Sequence, residues 1–110
     1  MAVATLTKRT SYLEGYQYTE TIATGATGDT VKIPPVIAGK NITCRLICGA
    51  NTGKVQTSTS VDSAVAAGTA TWVDHPDGVQ TGNWTDVIVG PVTGIRAVSS
   101  SGEITFEAVV

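Results

Sequence analysis

Charge is scarce in this sequence. Only 15% of its 110 residues are charged, and the net charge is −2. The basic residues, Lys8, Arg9, Lys32, Lys40, Arg45, Lys54 and Arg96, are scattered, and only Lys8 and Arg9 are adjacent. Nucleic-acid binders neutralise phosphates with clustered Lys and Arg, so no nucleic-acid partner is expected. Strong helix formers are equally thin, with three Leu, one Met and four Glu. That shortage excludes a helical bundle, a coiled coil and a doubly wound nucleotide-binding fold, all of which need amphipathic helices. No apolar run approaches the ~20 residues of a membrane-spanning helix. The opening MAVATLTKRT turns polar too soon for a secretory leader. No membrane partner is expected, and synthesis in a cytosol is.

Groups for covalent or metal chemistry are few. The two cysteines, Cys44 and Cys48, lie in the alternating run NITCRLIC. Four strand steps would separate them by about 13 Å, too far for a disulfide, which needs Cα atoms within ~7 Å. They read as small buried apolar residues, and two thiols with one His fall short of a structural zinc set. That histidine, His75, sits in VDHPDG beside Asp74 and Asp77. A catalytic triad needs a nucleophile held by an oriented base, and no serine stands in a G-x-S-x-G elbow. A polar turn around Pro76 and Gly78 is the simpler reading. Gly49 to Val55 fails as a phosphate loop, with one residue too few between its glycines and Val55 where a hydroxyl is needed. No catalytic residue, cofactor or metal is therefore expected.

What the chain does have is β-branched residues: Val, Ile and Thr supply 40 of the 110 positions. They lose rotamer freedom in helices and sit well on pleated sheets. Turn signals every 8–12 residues separate short alternating runs, the pattern of a sandwich or small barrel. Strands are predicted near 16–23, 29–33, 41–48, 54–60, 70–73, 83–89, 92–98 and 103–110. Asn51, Thr52 and Gly53 form a hairpin signal, and residues 61–67 fit either a helical turn or an edge strand. The fold class is all-β, a small sandwich of immunoglobulin-like or jelly-roll-like type. Residues 1–15 form an extended N-terminal arm and 16–110 a single domain. Leu46, Trp72, Ile95 and Phe106 are core candidates. Trp72 and Trp84 lie within apolar runs and read as core, with sugar stacking the other possibility.

Thr, Ser and Ala cover a surface that Lys and Glu normally cover. Interfaces are depleted in Lys, Glu and Asp, so an oligomeric or assembly-bound state is expected. Tyr is enriched at interfaces, and Tyr12, Tyr16 and Tyr18 cluster at the arm. With Leu6 and Arg9 they are the candidate contact residues.

The last half of the chain carries a resemblance. After the SVDSAV turn come Ala67-Gly68-Thr69-Ala70-Thr71-Trp72, an Asp/Pro/Gly turn, Val89-Gly90-Pro91-Val92-Thr93-Gly94-Ile95-Arg96, and a final strand from Gly102 to Glu107. This pattern resembles small β-sandwich structural proteins of tailed-bacteriophage virions, in particular head decoration (cement) proteins. The resemblance implies a non-enzymatic protein on the capsid surface that bridges major capsid protein subunits, commonly as a trimer. The alternatives are a carbohydrate- or receptor-binding sandwich module and a neck or tail structural protein.

Overall fold

The computed structural model describes residues 3–5, 7–8, 16–33 and 39–110. Among them the elements run β1 (Val3–Thr5), β2 (Thr7–Lys8), β3 (Tyr16–Ile22), β4 (Thr30–Lys32), β5 (Ile42–Ser58), α1 (Asp62–Ala67), β6 (Val73–Asp74), β7 (Gln80–Ile88), β8 (Gly94–Ser101) and β9 (Ile104–Val109). The strands form one curled sheet in the order β1-β4-β8-β5-β9-β3-β2, with β6 and β7 also paired to β5. Among the described residues only β1 and β4 run parallel, and every other pairing is antiparallel.

The curl comes from β5, which is 17 residues long. Its first part, residues 42–47, lies between β7 and β9. Its last part, residues 52–58, pairs with β8 on one side and with β6 and the start of β7 on the other. Between them, residues 48–51 face Gly82 alone, so the register jumps and the strand bends. Gly49 and Gly82 take φ +60° and +69° at this corner, the left-handed region that favours glycine. The bend also resets the alternation. Ile42, Cys44, Leu46 and Cys48 are buried before it, and Gly53 and Val55 after it. Both parts of β5 therefore face one core.

That core joins Ile42, Cys44 and Leu46 to Ile104, Phe106 and Ala108 of β9, and to Val31, Val55, Ile95 and Ala97 of the other layer. Val65 of α1 is fully buried. It and Trp72 pack over Gly94, where a Cβ would stand 3.3 Å from Val65 and 3.1 Å from Trp72.

Several expectations change. The hairpin signal at 51–53 does not reverse the chain; it marks the corner of one continuous strand. Residues 62–67 are helical, closed by Gly68 at φ 79°, whose N–H reaches Val65 O. The strand placed at 70–73 is only Val73–Asp74. Trp72 precedes it and is half-buried, unlike Leu46, Ile95 and Phe106, which are fully buried. In the arm, residues 3–5 and 7–8 are extended but stitched into the sheet: β1 pairs with β4 and β2 with β3.

Gly53 tests the corner. A Cβ there would lie 3.0 Å from Val98 O and press on Ile104 Cδ1, a side chain only 1% exposed. Gly53→Ala is expected to cost about 1–3 kcal/mol through overpacking, read as a lower urea midpoint at unchanged slope. A wild-type midpoint would mean that the corner has slack.

Candidate functional site

Three places on the molecule bear on function: an outer sheet face, a polar cluster at one edge, and the tyrosine strand. The outer face is built by the alternation of β7, β5, β9 and β3. Registry sets Val87, Thr43, Val109 and Gln17 in one row across the four strands. Thr85, Arg45, Glu107 and Thr19 form the next row, and Asn83, Ile47, Thr105 and Thr21 the third. Ile47, Val87 and Val109 are exposed by 37%, 44% and 38%, so apolar side chains reach solvent in two of the three rows. The only charges in these rows are Arg45 and Glu107, directly opposite each other with 3.8 Å between Arg45 Nη1 and Glu107 Oε1. They neutralise one another. Between them and Thr43, Thr85 and Val109 lies a shallow depression of about 340 Å³.

The polar cluster forms where the β6–β7 loop folds over the inward side of β7. The His75 N–H donates to Val55 O at 2.8 Å, tying the loop to β5. The Asp77 N–H donates to His75 Nδ1 at 3.0 Å. The ring proton therefore belongs on Nε2, which lies 2.8 Å from Asp86 Oδ2 and donates to it. The Trp84 Nε1–H donates to Asp77 Oδ2 at 2.9 Å, and the His75 and Trp84 rings meet edge to face at 5.0 Å. His75, Asp77 and Asp86 bring possible ligand atoms within 4.8 Å of one another. A metal on Nε2 would need the ring proton on Nδ1, pointing at the Asp77 N–H, whereas metal-bound His normally donates that proton to an acceptor. The groups are wired as a latch that closes the sandwich edge.

Asp86 is the member that reading VDHPDG in isolation misses. Its signal is its parity: Trp84, Asp86 and Ile88 share the inward side of β7, and an inward carboxylate requires a partner.

Of the five residues expected at an interface, Leu6, Arg9 and Tyr12 lie outside the described residues. Tyr16 and Tyr18 are half-buried against the core. The Tyr18 ring stands 6.4 Å from that of Phe106. Its hydroxyl lies 3.1 Å from Glu20 Oε1 and 3.2 Å from Asp29 Oδ2. Burial, then the negative charge of Glu20 and Asp29, pushes its pKa upward. Both Glu20 oxygens also accept the Asp29 N–H, so Tyr18 belongs to an internal network.

Neither indole is a free platform. The guanidinium of Arg96 sits 4.3 Å from the Trp72 ring centre, and its Nε–H donates to Gln56 Oε1. The two cysteines are buried and unbridged. Burial, with the Asp86 charge second, pushes the Cys44 thiol up to about 12.

The sequence matches no protein-family model and no curated protein. Among solved structures, an oxalate oxidase is similar at 13% identity and TM-score 0.48, over 86% of this chain and 40% of that one. CapF, a capsular polysaccharide assembling protein of Staphylococcus aureus, is similar at 9% identity and TM-score 0.47, over 86% of this chain and 22% of that one. PliG, a periplasmic inhibitor of g-type lysozyme from Aeromonas hydrophila, is similar at 12% identity and TM-score 0.44, over 98% and 95%. The chain thus spans less than half the length of the first two. None of these likenesses bears on its chemistry.

Two predictions follow from the buried groups. His75→Ala leaves the Asp77 N–H and the Asp86 carboxylate without the ring, and is expected to cost about 1–3 kcal/mol and to red-shift Trp84 emission. Unchanged stability and emission would show that the latch is decorative. Cys44 and Tyr18 are acids whose folded pKa lies above the unfolded one. Above about pH 9 the unfolded chain releases protons that the folded chain retains, so stability falls as pH rises from there. Cys44 alone accounts for at most about 1.4 kcal/mol per pH unit. Cys44→Ala should flatten the decline between pH 9 and 11, as followed by urea midpoints. Parallel pH profiles for the two proteins would remove Cys44 as a cause.

Proposed function

We propose that the chain is a non-enzymatic structural protein of a tailed-phage virion, a decoration or cement protein that holds neighbouring major capsid protein subunits together. The observation that carries this reading is the outer face of β7, β5, β9 and β3: exposed, rich in Thr and Val, and electrically neutral through the Arg45–Glu107 pair. Such a face shares with interface cores their scarcity of charge. In the polar cluster at the edge both His75 ring nitrogens are already engaged, Nδ1 by the Asp77 N–H and Nε2 by Asp86, which argues against the ring as a free base for a nucleophile. The sugar-binding alternative loses ground because Arg96 covers Trp72, and His75 and Asp77 hold Trp84.

The mechanism is linkage. A protein that binds only the assembled shell stabilises it by mass action, by about 2.7 kcal/mol per site when free protein is a hundredfold above Kd. Each copy that spans two subunits adds an interface that must break before the shell opens.

The test uses purified particles and the full chain. Roughly equimolar amounts of this protein and the major capsid protein are expected; a handful of copies per particle would put it at the neck or tail. Thr43→Lys places an unpaired charge on the face, one row from the Arg45–Glu107 pair and outside core and latch. It should leave thermal stability within about 0.5 kcal/mol and lower capsid occupancy at least tenfold. Full occupancy of the variant would overturn the role of this face.

A further inference from the structure

We propose that β7 is a self-pairing edge, through which two copies of this chain join antiparallel, β7 to β7, across a two-fold axis at Thr85. The proposal does not depend on capsid binding. An edge strand presents N–H and C=O groups that another strand can satisfy, and folded proteins guard such edges by shortness, charge, Pro or bulges. The other outer strands are guarded. β1 has three residues, and β2 and β6 have two each; β2 includes Lys8, and β6 carries Asp74, bound by Lys54 at 3.1 Å.

Along residues 83–88 β7 carries a single guard, Asp86, and that carboxylate points inward, where His75 Nε2 holds it at 2.8 Å. The strand is nine residues long and, among the described residues, pairs on one side only, with β5. Its outward positions 81, 83, 85 and 87 are Thr, Asn, Thr and Val, without charge or Pro. Val79, Val87 and Val89, on the strand or beside it, are exposed by 55%, 44% and 72%. A long edge whose outward side chains are uncharged, with exposed Val87 on it and Val79 and Val89 flanking it, is open to another strand.

The occupant we assign is a second copy, because the register of β7 is self-complementary. Opposed residues in an antiparallel pair share a face, so a two-fold axis must pass through a residue and not between two. β7 runs in unbroken register over residues 83–88, and the shift at Gly82 ends it. The axis therefore falls at Thr85 or Asp86. At Asp86 two carboxylates would oppose each other, which is destabilising. At Thr85, Asn83 of one copy faces Val87 of the other, Thr85 faces Thr85, and Trp84 faces Asp86. No like charges meet. The two outer faces then become one continuous surface of twice the width.

The experiment compares two double variants of the full chain by light scattering across a concentration series, with far-UV circular dichroism and melting to check folding. Asn83 and Val87 are both exposed. N83K/V87K sets Lys opposite Lys at two places in the dimer; N83E/V87K sets Glu opposite Lys at the same places. The expected result is a wild type of twice the 11.3 kDa chain mass, a monomeric N83K/V87K with Kd raised at least tenfold, and an N83E/V87K that stays dimeric. A wild type that is monomeric at every concentration, or trimeric, overturns the proposal. So does equal behaviour of the two variants, whether both dimeric or both monomeric.

Discussion

Everything in this fold leans on one strand being shared by two layers. β5 supplies pairing partners to β6, β7, β8 and β9, and its corner at residues 48–51 turns one sheet into a sandwich. The corner must satisfy two conditions at once: a change of direction, and a change of phase that returns side chains to the same core. An inserted set of residues opposite Gly82 does both, because a bulge bends the strand and shifts the alternation together. Small residues gather there for a physical reason. Gly49 and Gly82 supply backbone conformations that other residues resist, and Gly53 lets Ile104 close over the bend.

The clean alternation in 42–48 and 104–109 was legible because burial on one face leaves a period of two in the sequence. The corner was not. Asn-Thr-Gly between two such runs carries the local signature of a reversal, and only tertiary pairing with β7 and β8 tells a bend from a turn. Residues 62–67 were ambiguous because Ala and Val serve either state; Gly68 in the left-handed conformation and the burial of Val65 settle it. The tryptophans were read as core from their apolar neighbours, yet both are half-buried. Trp84 lies on an edge strand, and Trp72 is capped by a cation that comes from β8. The latch was half visible: His75 and Asp77 adjoin in sequence, while Asp86 arrives only through the return of β7.

The polar residues of this charge-poor chain are concentrated where the fold needs a specific closure. Glu20 fastens the Asp29 N–H and sits beside the Tyr18 hydroxyl. Ser99 accepts the Gly25 N–H and donates to Gly102 O. Asp74 receives Gln56 and Lys54, whose hydrogen bonds hold its carboxyl below the usual range. Buried or half-buried polar groups are costly unless paired, so the Glu20 and Ser99 networks commit the chain to one arrangement, while the Asp74 network lies on the surface. The outer face keeps neutral polar side chains, mostly Thr, and its one ion pair cancels itself.

The same economy bears on the assembly proposed for the edge and the face. Association costs the freedom of the groups that it orders. β7 is already held in register by β5 on its paired side, and Trp84 and Asp86 on its inward side are clasped by the loop at His75 and Asp77. Its outward residues thus stand on a strand that has little left to lose on meeting a partner. A flexible segment with the same side chains would pay the ordering entropy at the moment of binding. The latch thus fixes β7 from its inward side and leaves the outward side open to the proposed partner strand.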